Sequence, residues 1–577
     1  MSESIVCPIG VCILPQPPPN MARTLTYPRV ALDTLVHYGI PHAEVPPDSL
    51  SDALPFLKVL VTLGNDALPK AVGKTLCDWV EAGGVWIGVG GVAAMPAMFG
   101  VEVEGPTYSS WGGGVGTLGE GYLTASGSHP VIGHLRAALH HFNGLPARVA
   151  GDSHVIARAL DRHQRPADRV AVAESRHGPG RCLLIAPDLT GAIVRIRQGI
   201  GITRDGVPSS DGTAPICDEV LKSGDGFALD WDFDRQDVPG APGLRAFLEP
   251  QADLWSELLV RSALYGAQSA GLTMPMLWLY PRGLPAVGAL SHDSDGNDAD
   301  LAGAMLAEVA RAGVRSTWCV QAPGYAADVI DDIRRAGHEL AMHFDAMSGH
   351  TQWSAEDFAG QHAALRDLFR DDIVSNKNHY LRWEGDVEFF EWCAAHGVRL
   401  DQSKGASKTG EAGYNFGTCH PYLPVRRDGS VIPVYELATP TQDLVVFAPQ
   451  ALADALTHTV LRAHGVLHLL FHPAHIRTAG VADAMHEAIG RAREHGVEWW
   501  TARDLVAWED ARRSAAWNVH SRAGAITGAT LRSEQPLADA TVLWLHPEGD
   551  VERFGFSFVP TACTISPKKT IELEVPV

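Results

Sequence analysis

The chain has 577 residues, 46% of them hydrophobic and 20% charged, and a formal net charge of −21. That length predicts roughly two to four domains, each with enough apolar sequence for an ordinary core. The acidic balance argues against general affinity for nucleic acid or anionic membranes, though it names no partner.

The nine cysteines include no Cys-x-x-Cys pair, and several, such as Cys12, Cys182 and Cys319, lie in apolar runs. This usage fits reduced, buried thiols better than a disulfide framework. Met1-Ser2-Glu3-Ser4 carries no basic segment, and the apolar run after it is broken by Pro8 and ends in Pro15-Gln16-Pro17-Pro18-Pro19. It reads as a first strand and loop rather than a signal peptide. No window approaches the roughly 18 apolar residues of a membrane span. The expected location is the cytoplasm, with no membrane partner.

Residues 1–265 read as α/β. Strands are expected at Ile9–Leu14, Leu57–Leu63, Val85–Val89 and Arg181–Ala186. Tyr27–Tyr38 is amphipathic, and Pro69–Ala82 is a helix closed by Gly83-Gly84. The alternation predicts a doubly wound parallel sheet of flavodoxin type. It resembles the class I glutamine amidotransferase-like fold. Catalytic members of that family carry a nucleophilic Cys at a sharp strand-to-helix turn. The matching turn here, Gly88-Val89-Gly90-Gly91-Val92, has none, and Cys77 lies inside the preceding helix. No glutaminase chemistry is expected; the domain's role is left open between oligomerisation and substrate access. Residues 191–250 read as irregular. Within them, Asp230-Trp231-Asp232-Phe233-Asp234 lacks the glycine and distal Glu of a calcium loop and reads as a solvated loop or edge strand. A helix at Ala252–Gln268 links to the next unit.

From 272 to 512 the alternation resumes. Helices are expected at Ala299–Ala312, Ala326–Ala336, 354–369, Asp386–His396, Gln450–Ala463 and Val481–His495. Strands are expected at Ala286–Leu290, Arg315–Val320, His338–His343, Ile373–His379, Val398–Gln402, Val466–Phe471 and Val497–Trp500. About seven β/α repeats favour a distorted, incomplete (β/α) barrel. Residues 515–577 turn to short alternating strands and predict a small β-sandwich.

Catalytic groups of a parallel barrel sit at the carboxyl ends of its strands. Those ends carry Asp293 and Asp295, then His343-Phe344-Asp345, then Asn376-Lys377-Asn378-His379-Tyr380-Leu381-Arg382, then Asp401, then His468-Leu469-Leu470-Phe471-His472 with His475 beyond. Asp293 and Asp295, two residues apart before Gly296, project to the same side. The set suggests a metal-dependent hydrolase.

The order Asp-x-Asp-Gly, Gly-His-Glu-x-x-x-His, a post-strand Arg, Asp, then Leu-His-Leu-x-x-His resembles the polysaccharide deacetylase (NodB-homology, carbohydrate esterase family 4) domain over residues 284–510. The resemblance implies Asp293 as base, Asp295 and His343 as ligands of a divalent metal with zinc the expected ion, and His472 as general acid. It implies Arg382 and Asp401 as an orienting pair around base and acid. In the family a second ligand His follows the first by four residues; here that position is Met347. His379, at the next strand end, is preferred as third ligand, with His350 the alternative. His338 and His292 flank or alternate away from the pocket, Arg382 has a structural salt bridge as its rival reading, and His475 is the rival or support of His472.

These assignments make a coherent reaction. The metal activates water, Asp293 accepts its proton as it attacks an acetamide carbonyl, and His472 protonates the leaving amine. The glycine- and aromatic-rich stretch 413–422 is either a substrate loop or a packed cover. The leading expectation is removal of an N-acyl group from a sugar or sugar-containing metabolite. The alternatives are hydrolysis of a non-carbohydrate amide at the same site, or a catalytically silent carbohydrate-binding or scaffold protein.

Overall fold

A computed structural model describes residues 7–15, 27–104, 118–206, 209, 211–212, 219–347, 351–522 and 525–576. The segments Met1–Ser4 and Gln16–Pro19, and the alternative ligand His350, lie outside the described residues. The architecture is mixed α/β. No helix among the described residues is long and apolar enough to cross a membrane.

The N-terminal sheet begins as expected. Ala43–Glu44, Ile9–Ile13, Val59–Leu63, Val85–Val89 and Gly180–Ile185 lie side by side and parallel. Beyond Gly180–Ile185 the expectation of an all-parallel sheet fails. Pro166–His177, His154–Asp161, Gly121–Ala125 and Leu139–His141 continue it antiparallel. The cause is local. Residues 178–179 close a two-residue hairpin in which Gly178 takes φ 59°, and a turn that short joins only antiparallel strands.

The stretch 191–250 is not irregular throughout. Leu189–Gln198 is a helix, capped by Asp188, whose carboxylate accepts from the Gly191 N–H at 3.0 Å. The acidic segment, expected as a solvated loop or edge strand, is a turn with its last carboxylate buried. Asp230 accepts from the backbone N–H groups of Asp232 and Phe233, folding the segment into a turn. Asp234 is carried inside, 2.8 Å from His140 Nδ1 and 2.7 Å from Gln251 Nε2. Burial disfavours the His140 cation, but its hydrogen bonds to Asp234 and Glu120 hold the imidazole up at about 9. The raised value means that this stabilisation is complete below the ordinary histidine value of 6.5 and is lost as pH rises through about 9. Asp234→Ala strands a buried partner, so urea unfolding near pH 6 is expected to show a loss of about 3–5 kcal/mol, and a smaller loss above pH 9.

The central sheet is parallel throughout. Its order is Tyr435–Glu436, Leu400–Asp401, Ser375–Asn378, Glu339–Phe344, Thr317–Gln321, Val287–Asp293 and Val466–Leu470, with Glu498–Trp500 also pairing to Val287–Asp293. Among the described residues no hydrogen-bonded pairing joins the first strand of that order to Val466–Leu470, so the sheet curls without closing. The expected helices between strands form. Ser354 caps Ala355–Phe369, and a helix not foreseen, Ala502–Arg513, opens on a Thr501–Asp504 capping box. The stretch 413–422 is a packed cover. Tyr414, Phe416 and Tyr422 are buried, and Gly417 and Cys419 bond to the start of helix Gln251–Ser269.

The C-terminal residues form two antiparallel sheets. One comprises Ala516–Arg522, Ala525–Arg532 and Thr570–Glu574. The other comprises Leu537–Leu545, Phe556–Ile565 and Val551–Arg553, and takes Pro275–Leu277 as an added edge.

Candidate metal centre and acid–base pair

Register decides which side chains meet. In a parallel pair, residues opposite one another share a face, and the face alternates along each strand. Asp293 lies opposite Cys319, Gln321 opposite His343, and His343 opposite Lys377. On the other side, Ala289 lies opposite His468 and Ser291 opposite Leu470. One face therefore collects Ser291, Asp293, His343, Lys377, His468 and, just past its strand, His472. Gly296, at φ 81°, turns the chain immediately after Asp295.

Asp295, His343 and His379 converge so that one ligand atom from each lies within 4.8 Å of the others. Asp295 Oδ1 is 3.2 Å from His343 Nε2 and 3.5 Å from His379 Nε2. Ligand atoms bound at about 2.1 Å to a single tetrahedral ion lie about 3.4 Å apart. Both rings are fixed from behind. His343 Nδ1 donates to the Lys377 carbonyl at 2.9 Å, and His379 Nδ1 donates to Asp345 Oδ1 at 3.1 Å. With Nδ1 donating, each ring in the neutral form that metal binding requires would present its Nε2 lone pair toward Asp295 Oδ1, the disposition of donors around one cation. The donor set fits a divalent metal. Asp345 itself accepts from the Met347 N–H at 2.7 Å, which steadies the carboxylate behind His379. Asp345→Asn is expected to weaken divalent-metal affinity about 10–100-fold while leaving the fold intact, read by competition with a chelator.

Asp293 is buried. Burial pushes its carboxyl up, but the charges of Lys377, His343 and His472 outweigh that and hold it below the ordinary carboxylate value. Asp295 is treated the same way: burial raises it, and the hydrogen bond and charge of His343 bring it well below. His472 Nε2 stands 3.9 Å from Asp293 Oδ2 and 3.8 Å from Asp295 Oδ2. Its Nδ1 donates to Asp443 Oδ2, and its backbone N–H donates to Asp443 Oδ1 at 2.8 Å. Burial disfavours the imidazolium, yet the Asp443 hydrogen bond and charge raise it to about 9. His475 also approaches Asp443, at 3.1 Å. Asp293, Asp295, His343, His379 and His472 all line one cavity of about 290 Å³.

Two expected members lie elsewhere. Arg382 bonds the Ala346 carbonyl at 2.6 Å and pairs with Glu384, and the cation beside Asp293 is Lys377, 3.4 Å from Oδ1. The chain leaves the strand axis before Arg382 through Tyr380 and Leu381, at φ 60° and 52°. Asp401 sits opposite Asn376 in register, on the face away from Lys377. It bonds Asn376 Nδ2 and Ser403 Oγ, each at 2.8 Å. Asp443, not Asp401, stands behind His472. It lies in an irregular segment, and the one signal in the sequence was an acid on a strand-connecting loop. His292 and His338 are structural, bonding the Phe471 carbonyl and Ser316.

No family model matches the chain, and no curated protein matches it. Among solved structures, the carbohydrate deacetylase Agd3 aligns over 99% of both chains at 11% identity and a TM-score of 0.42. A putative polysaccharide deacetylase from Mycobacterium smegmatis aligns over 39% of this chain and 91% of its own, at 17% identity and a TM-score of 0.31. A mutant of the CE4 family pseudoenzyme BA3943 aligns over 39% and 68%, at 13% identity and a TM-score of 0.25.

Proposed function

We propose that this protein is a metal-dependent hydrolase that removes an N-acyl group, acetyl in the simplest case, from a sugar or sugar-containing metabolite. The observation that carries the reading is the position of a carboxylate and a raised imidazole, Asp293 and His472, 3.9 Å apart beside the Asp295–His343–His379 donor set. The saccharide part of the reading follows from the motif order of the sequence.

A divalent ion held by Asp295, His343 and His379 would supply a Lewis acid for the amide carbonyl and acidify water. Asp293, kept ionised by Lys377 and its histidine neighbours, accepts the proton of the attacking water. His472, cationic because Asp443 stands behind Nδ1, presents Nε2–H to the departing nitrogen. The C–N bond breaks as that proton arrives, and the products are a carboxylate and a free amine. Base and acid are separate groups at the ends of separate strands, so each holds the protonation state its step requires. Released acetate, measured over a panel of N-acetylated sugars and simple N-acetyl amides, tests the assignment. Turnover of the sugars supports it. Turnover of the simple amides alone would move the substrate class away from carbohydrate.

A further inference from the structure

We infer that Lys377 is a positioning residue that fixes the Asp293 carboxylate from beneath, and that Ser291 and His468 hold Lys377 in place for this purpose. The inference rests on the hydrolase reading for its catalytic consequence, but its structural content stands on the side chains alone.

Lys377 lies in the middle of strand Ser375–Asn378 and is fully buried. An ammonium removed from water costs several kcal/mol unless it is paired and hydrogen-bonded. A Leu or Met would fill the same space without that cost, so the charge needs a partner that also needs it. Asp293 Oδ1, 3.4 Å from Nζ, is that partner. Asp293 is itself buried, and its Oδ1 receives no hydrogen bond. The ion pair is therefore the main restraint on that oxygen.

The ammonium is anchored on its other side by a chain of hydrogen bonds with one direction. Lys377 Nζ donates to Ser291 Oγ at 2.6 Å. The Ser291 hydroxyl donates to His468 Nε2 at 2.9 Å, and His468 Nδ1 donates to the Ala438 carbonyl at 2.9 Å. This order requires a neutral His468, and burial pushes its imidazole down to about 3. With Ser291 and His468 ordered in this way, the ammonium has a fixed origin from which to meet Asp293.

The arrangement follows from strand periodicity. Ser291 is two residues before Asp293, Lys377 two before His379, and His468 four before His472. Each of the three thus lies on the same face as a residue of the reactive site and earlier along the chain. Together they are a polar triad where an apolar one would be cheaper, and the triad touches the reactive site at the base.

Lys377→Met removes the charge and keeps most of the unbranched side chain. In a crystal structure of that variant, the Asp293 carboxylate is expected to leave its place while Asp295, His343, His379 and His472 keep theirs. Divalent metal should remain at wild-type stoichiometry. The kcat for acetate release should fall at least ~100-fold with KM within about threefold, the signature of a misplaced reacting group. Ser291→Ala keeps the ammonium but frees it, and should lower kcat about tenfold. An unmoved Asp293 carboxylate, or a kcat within about threefold of wild type, overturns the inference. Should Lys377→Met fail to fold, Ser291→Ala and His468→Gln decide the matter by the same two readouts. If wild type releases acetate from nothing tested, the hydrolase reading falls, while the position of Asp293 in the variant structure still decides whether Lys377 holds it.

Discussion

Asp293→Asn is expected to lower acetate release by about 10²–10⁴-fold while the protein keeps its divalent metal. The substitution preserves shape and removes the negative charge, and with it the capacity to accept a proton. The donor set of Asp295, His343 and His379 does not include Asp293, so metal stoichiometry should match wild type. The pairing of these two results separates a base from a ligand. Loss of metal together with activity would reassign Asp293 to the metal. Retention of activity would mean that another group accepts the proton.

His472→Ala is expected to reduce turnover by a similar factor, about 10²–10⁴-fold, with a dependence on the leaving group that Asp293→Asn does not show. A poor leaving amine needs a proton as the C–N bond breaks; an electron-poor anilide needs it much less. The His472→Ala defect should therefore shrink on nitroacetanilide relative to an N-acetyl sugar, whereas the Asp293→Asn defect should be similar on both. The pH profile gives a second check. The acid form of His472 is the active one, and its value is raised to about 9, so activity should fall as pH rises through about 9. Asp443→Asn removes the main group raising it, and the alkaline limb should move to lower pH. An unmoved limb would mean that another group sets it.

The candidate site was legible where strand periodicity carries it. Asp293, Asp295, His343 and His472 sit at strand ends, and alternation alone places their side chains on one face. His379 was legible for the same reason, since it follows Lys377 by two residues on a strand that lies beside His343. Periodicity also held the answer for Lys377, but a lysine inside a short polar strand reads as an exposed edge until its neighbours on both sides are known. Two residues were misplaced for opposite reasons. Asp401 was one position out of phase: its register with Asn376 turns it away from the pocket. Arg382 lay past two left-handed residues that no pattern announces. Asp443 lies 29 residues before its partner His472 on a connecting segment without periodicity, so only the fold brings them together. In the N-terminal half the parallel strands were clear from their continuous apolar runs. The antiparallel ones were not, because Pro166–His177 mixes charged and small residues and is fixed by its hairpin rather than by its pattern.

The central claim is that Asp295, His343 and His379 hold one divalent ion on which the reaction depends. Metal content of the purified protein, measured beside His343→Ala and His379→Ala, tests it most directly. One equivalent of a divalent ion in wild type, lost in both variants together with acetate release, is the predicted result. A wild-type protein that neither contains nor takes up a divalent ion, or a His379→Ala variant that keeps a full equivalent, would contradict it.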